Sequence, residues 1–165
     1  MLIRPARPED AERLHAAVRD MAAGLGAADR VASTADSFRR HGFGPAPAFE
    51  ALIAEAETRF AGACLFFPSF SSWRGVAGSY VLDLYVEAAF RGHGVGQALL
   101  ADVARRTAAR GGTYVRLSVD ADNHAAQGFY AKLGFRWKTD ERILALDGDP
   151  FRSLADSADA SPLVG

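Results

Sequence analysis

The 165-residue chain contains one cysteine, Cys64, so no intrachain disulfide framework can brace it. Cys64 lies in an apolar, strand-like run, where an inert core thiol is expected. The chain also lacks a charge excess. Its 19 Lys and Arg against 20 Asp and Glu leave a formal net charge of −1, which removes the electrostatic basis for nucleic-acid binding. With 49% hydrophobic residues, it is not a disordered tail either. No apolar stretch approaches the ~20 residues of a membrane span. Arg4, Arg7, Glu9 and Asp10 fall where a signal peptide would need an unbroken apolar core. His15, His41, His93 and His124 are scattered without metal-ligand spacing, so no metal is expected. These absences point to a cytoplasmic globular domain with a small molecule as its partner, and neither nucleic acid nor membrane.

What is present is concentrated in Arg91-Gly92-His93-Gly94-Val95-Gly96-Gln97-Ala98. Ahead of it, residues 79–87 form a β-branched and aromatic run of strand length. Behind it, Val95, Leu99, Val103 and Thr107 recur at helical spacing until Gly111-Gly112, with Arg105, Arg106 and Arg110 toward the negative end of the helix dipole. Glycines at 92, 94 and 96 strip side chains from this strand-to-helix turn. Several backbone N–H groups can then converge on one anion where the dipole is positive. Two common phosphate motifs are excluded by spacing. The dinucleotide fingerprint needs Gly where Gln97 or Leu99 stands, and a Walker loop needs Gly-Lys-Ser/Thr where Gly96-Gln97-Ala98 stands.

The rest of the chain reads as elements around that turn. A short strand at 1–5 must end at Pro5. Pro8 opens a helix with the apolar stripe Ala11, Leu14, Val18 and Met21, broken by Gly24 and Gly26. A second helix is expected over 31–40, capped by Ser33 or Thr34 and followed by a loop at 41–47. Strands at 49–55, 59–67 and 81–87 suit an antiparallel meander, with a loop carrying Pro68 and Gly75 between the last two. A strand at 114–119, reached through the helix after the glycine turn, should lie parallel to its predecessor. Runs at 135–138 and 142–146 are expected as a closing strand pair. The domain then occupies residues 1–155, with 156–165 a flexible tail.

Arg91, Gly94 and Gly96 fit the pattern Gln/Arg-x-x-Gly-x-Gly/Ala, and Asn123-His124-Ala125-Ala126-Gln127-Gly128-Phe129-Tyr130-Ala131-Lys132-Leu133-Gly134-Phe135 fits N-x-x-A-x-x-F-Y-x-K-L-G-F. Both patterns resemble those of the GNAT N-acetyltransferase family, in the family's order. The resemblance implies an α/β (α+β) fold with a mixed, mostly antiparallel twisted sheet flanked by helices, strands 4 and 5 being parallel and splayed. It implies acetyl-CoA as co-substrate and acetyl transfer to an amine, with Arg91, Gly92, His93, Gly94, Val95, Gly96 and Gln97 around the pyrophosphate. It further implies that Leu84, Tyr85 and Val86 form the strand edge along the pantetheine arm, the N–H groups of Leu84 and Val86 being free. Asn123 and Ala126 would contact the coenzyme, and Tyr130 would be the acid that protonates the departing thiolate.

Asp83 and Glu87 are the carboxylates available as a general base, with Asp83 preferred. A closer resemblance, to the diamine and polyamine acetyltransferases, is carried by Phe66-Phe67-Pro68-Ser69-Phe70-Ser71-Ser72-Trp73-Arg74-Gly75 and Tyr80-Val81-Leu82-Asp83-Leu84-Tyr85-Val86. Leu82 departs from it where those enzymes carry glutamate, and 118–122 lacks their tryptophans. This resemblance implies a small-molecule amine acceptor and a homodimer. Phe66, Phe67, Phe70 and Trp73, read as a loop, would form an apolar patch at the dimer contact. A peptide or lysine acetyltransferase and a non-catalytic coenzyme-binding module are the alternatives.

Overall fold

In the computed structural model, which describes residues 1–138 and 141–159, two prolines set how the chain begins. Strand β1 (Leu2–Pro5) ends at the first, because proline brings no N–H to a ladder. A 3-10 turn over Pro8–Asp10 then leads into helix α1 (Ala11–Gly24), whose Ala11 and Leu14 are fully buried. Helix α2 (Ala35–Phe43) is fixed by a reciprocal cap. Thr34 Oγ1 accepts the Ser37 N–H at 3.1 Å, and Ser37 Oγ accepts the Thr34 N–H at 3.2 Å. The cap starts the helix later than the apolar pattern alone suggests, and the helix runs past His41 to Phe43.

Strands β2 (Glu50–Ala56), β3 (Arg59–Ser71) and β4 (Val76–Val86) form the expected antiparallel meander. Helix α3 (Val95–Ala109) carries the chain across to β5 (Val115–Leu117), which lies parallel to β4. The sheet order is β1-β2-β3-β4-β5, so the fold is the mixed α/β arrangement anticipated. Its two faces have different owners, because strand side chains alternate. Ala51, Ile53, Ala63 and Leu65 pack with Ala11, Leu14 and Phe38, which puts α1 and α2 on one face. On the other, a Cβ at Gly62 would meet Val95 Cγ1 at 3.3 Å and Leu99 Cδ1 at 3.4 Å, which places α3 there. Leu52, Cys64 and Phe66 alternate toward that side and are 1% exposed or less. Each large apolar side chain so buried contributes on the order of 2 kcal/mol.

The segment expected as a loop between the second and third long strands is instead a β-hairpin. The β3–β4 pairing runs out to Ser71 opposite Val76. Pro68 fits within it for a geometric reason. The Ser79 N–H opposite it points the other way, to Tyr114 O at 3.0 Å, so this pair exchanges no hydrogen bonds. Pro68 therefore turns its missing donor away from β4, toward a side where β2 has already ended at Glu50 opposite Phe66. The four aromatics separate accordingly. Phe66 is core, Phe67 stacks on Tyr80 with ring centroids 5.3 Å apart, and only Phe70 and Trp73 stand out in solvent, 68% and 100% exposed.

The chain divides into two compact units, Met1–Phe129 and Tyr130–Gly165. Helix α4 (His124–Lys132) ends in the second, where Gly134, at φ +90°, turns the chain so that the Tyr130 and Phe135 rings meet edge-on at 5.5 Å. The closing strand pair expected at 135–138 and 142–146 does not form among the described residues. A strand requires a hydrogen-bonding neighbour, which an apolar run does not itself supply. Helix α5 (Gly148–Asp159) follows, so that 156–159, expected to fray, form its last turn. Residues 160–165 of the expected tail lie outside the described residues.

Candidate active site

The site is organised by one extra residue in β4. Leu65 pairs with Asp83 but Phe66 pairs with Val81, so Leu82 bulges out of the ladder. Before the bulge, the odd-numbered Ser79 turns its N–H toward β5. After it, the Glu87 N–H reaches back to Ala61 O on β3 at 3.0 Å. Backbone donors alternate along a strand, so the N–H groups of Leu84 and Val86 face away from β3. On that side β4 has no strand neighbour among the described residues, since β5 pairs only with Ser79, Tyr80 and Val81. The donors that the resemblance assigned to the thioester and pantetheine thus lie on an open edge.

That edge runs directly into the glycine turn. After a 3-10 turn at Ala88–Phe90, the loop takes left-handed backbone at Gly92 (φ +77°) and Gly94 (φ +80°), which glycine alone adopts without strain. The first α3 bond is Ala98 N–H to Gly94 O at 3.0 Å, so the N–H groups of Val95, Gly96 and Gln97 precede the helix's own ladder. No acid lies in this first turn. Gly96 serves a second purpose that the pattern did not disclose. A Cβ there would stand 3.2 Å from Phe129 Cζ, 3.5 Å from Val86 Cγ2 and 3.8 Å from Leu84 Cδ2, so its smallness lets α3, α4 and β4 converge. Arg91 Nε donates to Val86 O at 3.0 Å, tying the loop to the strand end, and His93 Nδ1 lies 2.8 Å from Arg91 O. An anionic nucleotide arm fits this cradle, and a thioester arm fits the edge beside it.

The side chains of Asp83 and Tyr85 point to the opposite face, toward α1. Burial pushes the Asp83 carboxyl above the ordinary carboxylate range. The Tyr85 hydroxyl lies 3.1 Å from Glu87 Oε2 and 3.3 Å from Asp20 Oδ2. One phenolic proton faces two carboxylates, and burial together with the Glu87 contact pushes its pKa up to about 12. Among the described residues, Asp20, Asp83 and Glu87 have no ion-pair partner. Asp20 carried no local signal in the sequence, because only the folding of α1 over β4 brings it near. Tyr85 and Glu87 could have been linked by their i, i+2 spacing. Cys64 is the inert thiol expected: it is fully buried, and desolvation raises its pKa to about 12.

Asn123 is a helix cap, its Oδ1 accepting the Ala126 N–H at 3.1 Å, so that donor of Ala126 is already engaged. Between this helix start and the end of α1 lies a cavity of about 480 Å³, lined by Gly24, Leu25, Asp120, Asp122, Asn123, His124 and Ala125. Tyr130 belongs to the second unit. Among the described residues no group of three or more His, Cys, Asp or Glu side chains is arranged to hold a metal.

Comparison with known proteins agrees with this geometry. The Acetyltransferase (GNAT) family profile matches residues 25–135. Thialysine N-epsilon-acetyltransferase of Bos taurus is 29% identical over 166 residues, covering 94% of this chain and 97% of that protein. L-ornithine N5-acetyltransferase of Arabidopsis thaliana is 31% identical over 94 residues, 57% of this chain and 41% of that protein. Among solved structures, an integron cassette protein from the mobile metagenome of V. cholerae superposes with a TM-score of 0.78 at 16% identity, over 93% of this chain and 96% of that one. A ribosomal-protein-alanine N-acetyltransferase from Brucella melitensis gives a TM-score of 0.72 at 18% identity, over 88% of this chain and 100% of that one. With its open β4 edge running into a glycine turn, the family profile matching most of it and the thialysine acetyltransferase matched along nearly its whole length, the chain belongs to the GNAT family and is an acetyl-CoA-dependent N-acetyltransferase.

Proposed function

We propose that the acceptor is the primary amine of a small cationic molecule, a diamine or polyamine, which attacks the acetyl group directly. The observation that carries this reading is the set of carboxylates on the α1 face of β4. Asp20, Asp83 and Glu87 gather negative charge without an ion-pair partner among the described residues, and an ammonium supplies what they lack. Two relatives support it by name, since thialysine and ornithine are small molecules bearing a side-chain amine.

When bound, acetyl-CoA supplies an activated acyl carbon to which the amine nitrogen bonds as the C–S bond breaks. The N–H groups of Val95, Gly96 and Gln97, with Arg91, hold the pyrophosphate. The Leu84 and Val86 N–H groups orient the pantetheine and face the thioester oxygen, where one such donor typically contributes ~3 kcal/mol. Asp83, whose pKa burial raises above the ordinary carboxylate range, takes a proton in its ionised form from the acceptor ammonium. Tyr130 returns one to the sulfur, the role its motif position implies. Asn123 fixes the start of α4. The same proposal includes a cytoplasmic homodimer, for which the exposed Phe70 and Trp73 on the β3–β4 hairpin are the supporting feature.

The test is a mass-spectrometric screen of the purified protein with acetyl-CoA against diamines, polyamines, amino acids with side-chain amines, and peptides. Acetylated small amines are expected, with turnover about 10²-fold lower in Tyr130→Phe. Acetylation of peptides alone would overturn the small-molecule reading.

A further inference from the structure

We infer that Arg59, on the β2–β3 hairpin, is a further phosphate-binding residue for the donor coenzyme; the inference rests on the glycine turn being the phosphate cradle. Coenzyme A carries a pyrophosphate and a separate 3′-phosphate. The donors of the cradle converge on one small region, so a phosphate extending beyond it needs another cation.

The hairpin brings Arg59 to that region. Gly62 pairs with Val86, so the start of β3 lies at the end of β4 from which the loop departs. Phe60 stacks on Tyr85 at 6.2 Å and so faces α1. Its neighbour Arg59 therefore projects to the α3 face, the side on which the cradle opens. The Arg59 guanidinium carbon sits 5.4 Å from the centroid of Phe90. Phe90 is itself anchored, its N–H donating to Glu87 O at 2.8 Å, and it directly precedes Arg91. The backbone behind Arg59 is equally fixed. Glu57 (φ +51°) and Thr58 (φ +66°) make a tight two-residue turn that pairs Ala56 with Arg59.

The charge of Arg59 is also uncommitted. Arg4, Arg105, Arg106 and Arg110 all form ion pairs, whereas Arg59 is exposed and has none among the described residues. The nearest acid of the loop, Glu87, turns its carboxylate to the opposite face, where the Tyr85 hydroxyl meets it. A guanidinium over an aromatic face keeps its N–H edge free, and that planar fork suits phosphate oxygens.

Calorimetric titration of the parent, Arg59→Ala and Arg59→Lys with coenzyme A and with 3′-dephospho-coenzyme A tests this without relying on turnover. Arg59→Ala is expected to bind coenzyme A roughly three- to fivefold more weakly, as for one exposed charge pair, with Arg59→Lys in between. If the contact is to the 3′-phosphate, the loss disappears with the dephospho ligand; if it is to the pyrophosphate, the loss is equal for both. Affinities unchanged in Arg59→Ala for both ligands would overturn the proposal and leave Arg59 as packing on Phe90. Gly94→Val separates this from failure of the cradle itself: coenzyme binding unaltered in that folded variant would refute the cradle whatever Arg59 does.

Discussion

Within one strand, the backbone of this protein does two different jobs. From Val76 to Val81, β4 is an interior strand, paired with β3 throughout and with β5 over its last three residues. From Asp83 to Val86 it keeps β3 but has no strand neighbour on the other side among the described residues, and its spare donors are those of Leu84 and Val86. A single unpaired residue, Leu82, separates the halves. The first half contributes to stability through its ladder bonds, and the second leaves equivalent groups unpaired so that a substrate can use them. Unsatisfied backbone donors are costly when buried, so an edge of this kind persists only where solvent or a ligand reaches it.

The comparison is broken most severely by deleting Leu82. Deletion keeps Val81 opposite Phe66 and Asp83 opposite Leu65, with the Leu84 and Val86 donors still outward. It removes, however, the local bend and twist by which the bulge carries the outer half of β4 away from β5, so the open edge closes. Turnover should fall by about 10²- to 10³-fold, as for loss of an oxyanion donor. Steady-state acetylation read beside circular dichroism separates this from unfolding. A folded deletion variant with parental turnover would refute the role given to the bulge.

A smaller effect sharpens the comparison on the side-chain level. Asp83→Asn should lower kcat/KM by about 10²-fold. It should also remove the acid limb of the pH profile. The base must be ionised to act, and its pKa is raised by burial, so parental activity is lost as pH falls through a value above the ordinary carboxylate range. An unchanged acid limb in Asp83→Asn would transfer the role to another group.

The smallest effect on catalysis belongs to a cluster remote from both halves. Asp10 is 5% exposed and receives two hydrogen bonds from Arg4, at 2.7 and 3.0 Å, which hold its carboxyl below the usual range. Folding therefore favours the ionised form. Its contribution is complete above the unfolded carboxylate pKa near ~4 and is lost as pH falls through the lower folded value. Asp10→Asn should cost about 2–3 kcal/mol at neutral pH, flatten the acid side of the stability curve, and leave kcat near that of the parent. Denaturant unfolding across pH checks both.

Much of the architecture was legible because local chemistry and global fold agree. Pro8 with the Ala11 and Leu14 stripe, and the Val95, Leu99, Val103 and Thr107 stripe ending at Gly111, each specify a helix from neighbours in sequence. The glycine turn was legible for the same reason, since its left-handed residues and its helix start are local. The features that escaped depend on pairing. Leu82 is one apolar residue in an apolar run, and nothing in its type marks it as the residue the ladder skips. Pro68 and the serines near it read as a loop because their tolerance derives from β2 having stopped short. Asp20 joins Tyr85 and Glu87 only through the packing of α1 on the sheet. The apolar run within 142–146 has the length of a strand, but length and hydrophobicity do not supply a partner.

The central claim is that the outer half of β4 is where the donor substrate adds to the protein, and backbone amide NMR tests it most directly. On titration with acetyl-CoA, the amide resonances of Leu84, Val86 and the Gly94–Gln97 turn should shift together, and the Leu84 and Val86 amides should gain protection from hydrogen exchange. Those of Ser79 and Val81, already bonded within the sheet, should stay in place. Saturation of the protein with the Leu84 and Val86 amides unmoved and unprotected would contradict the account.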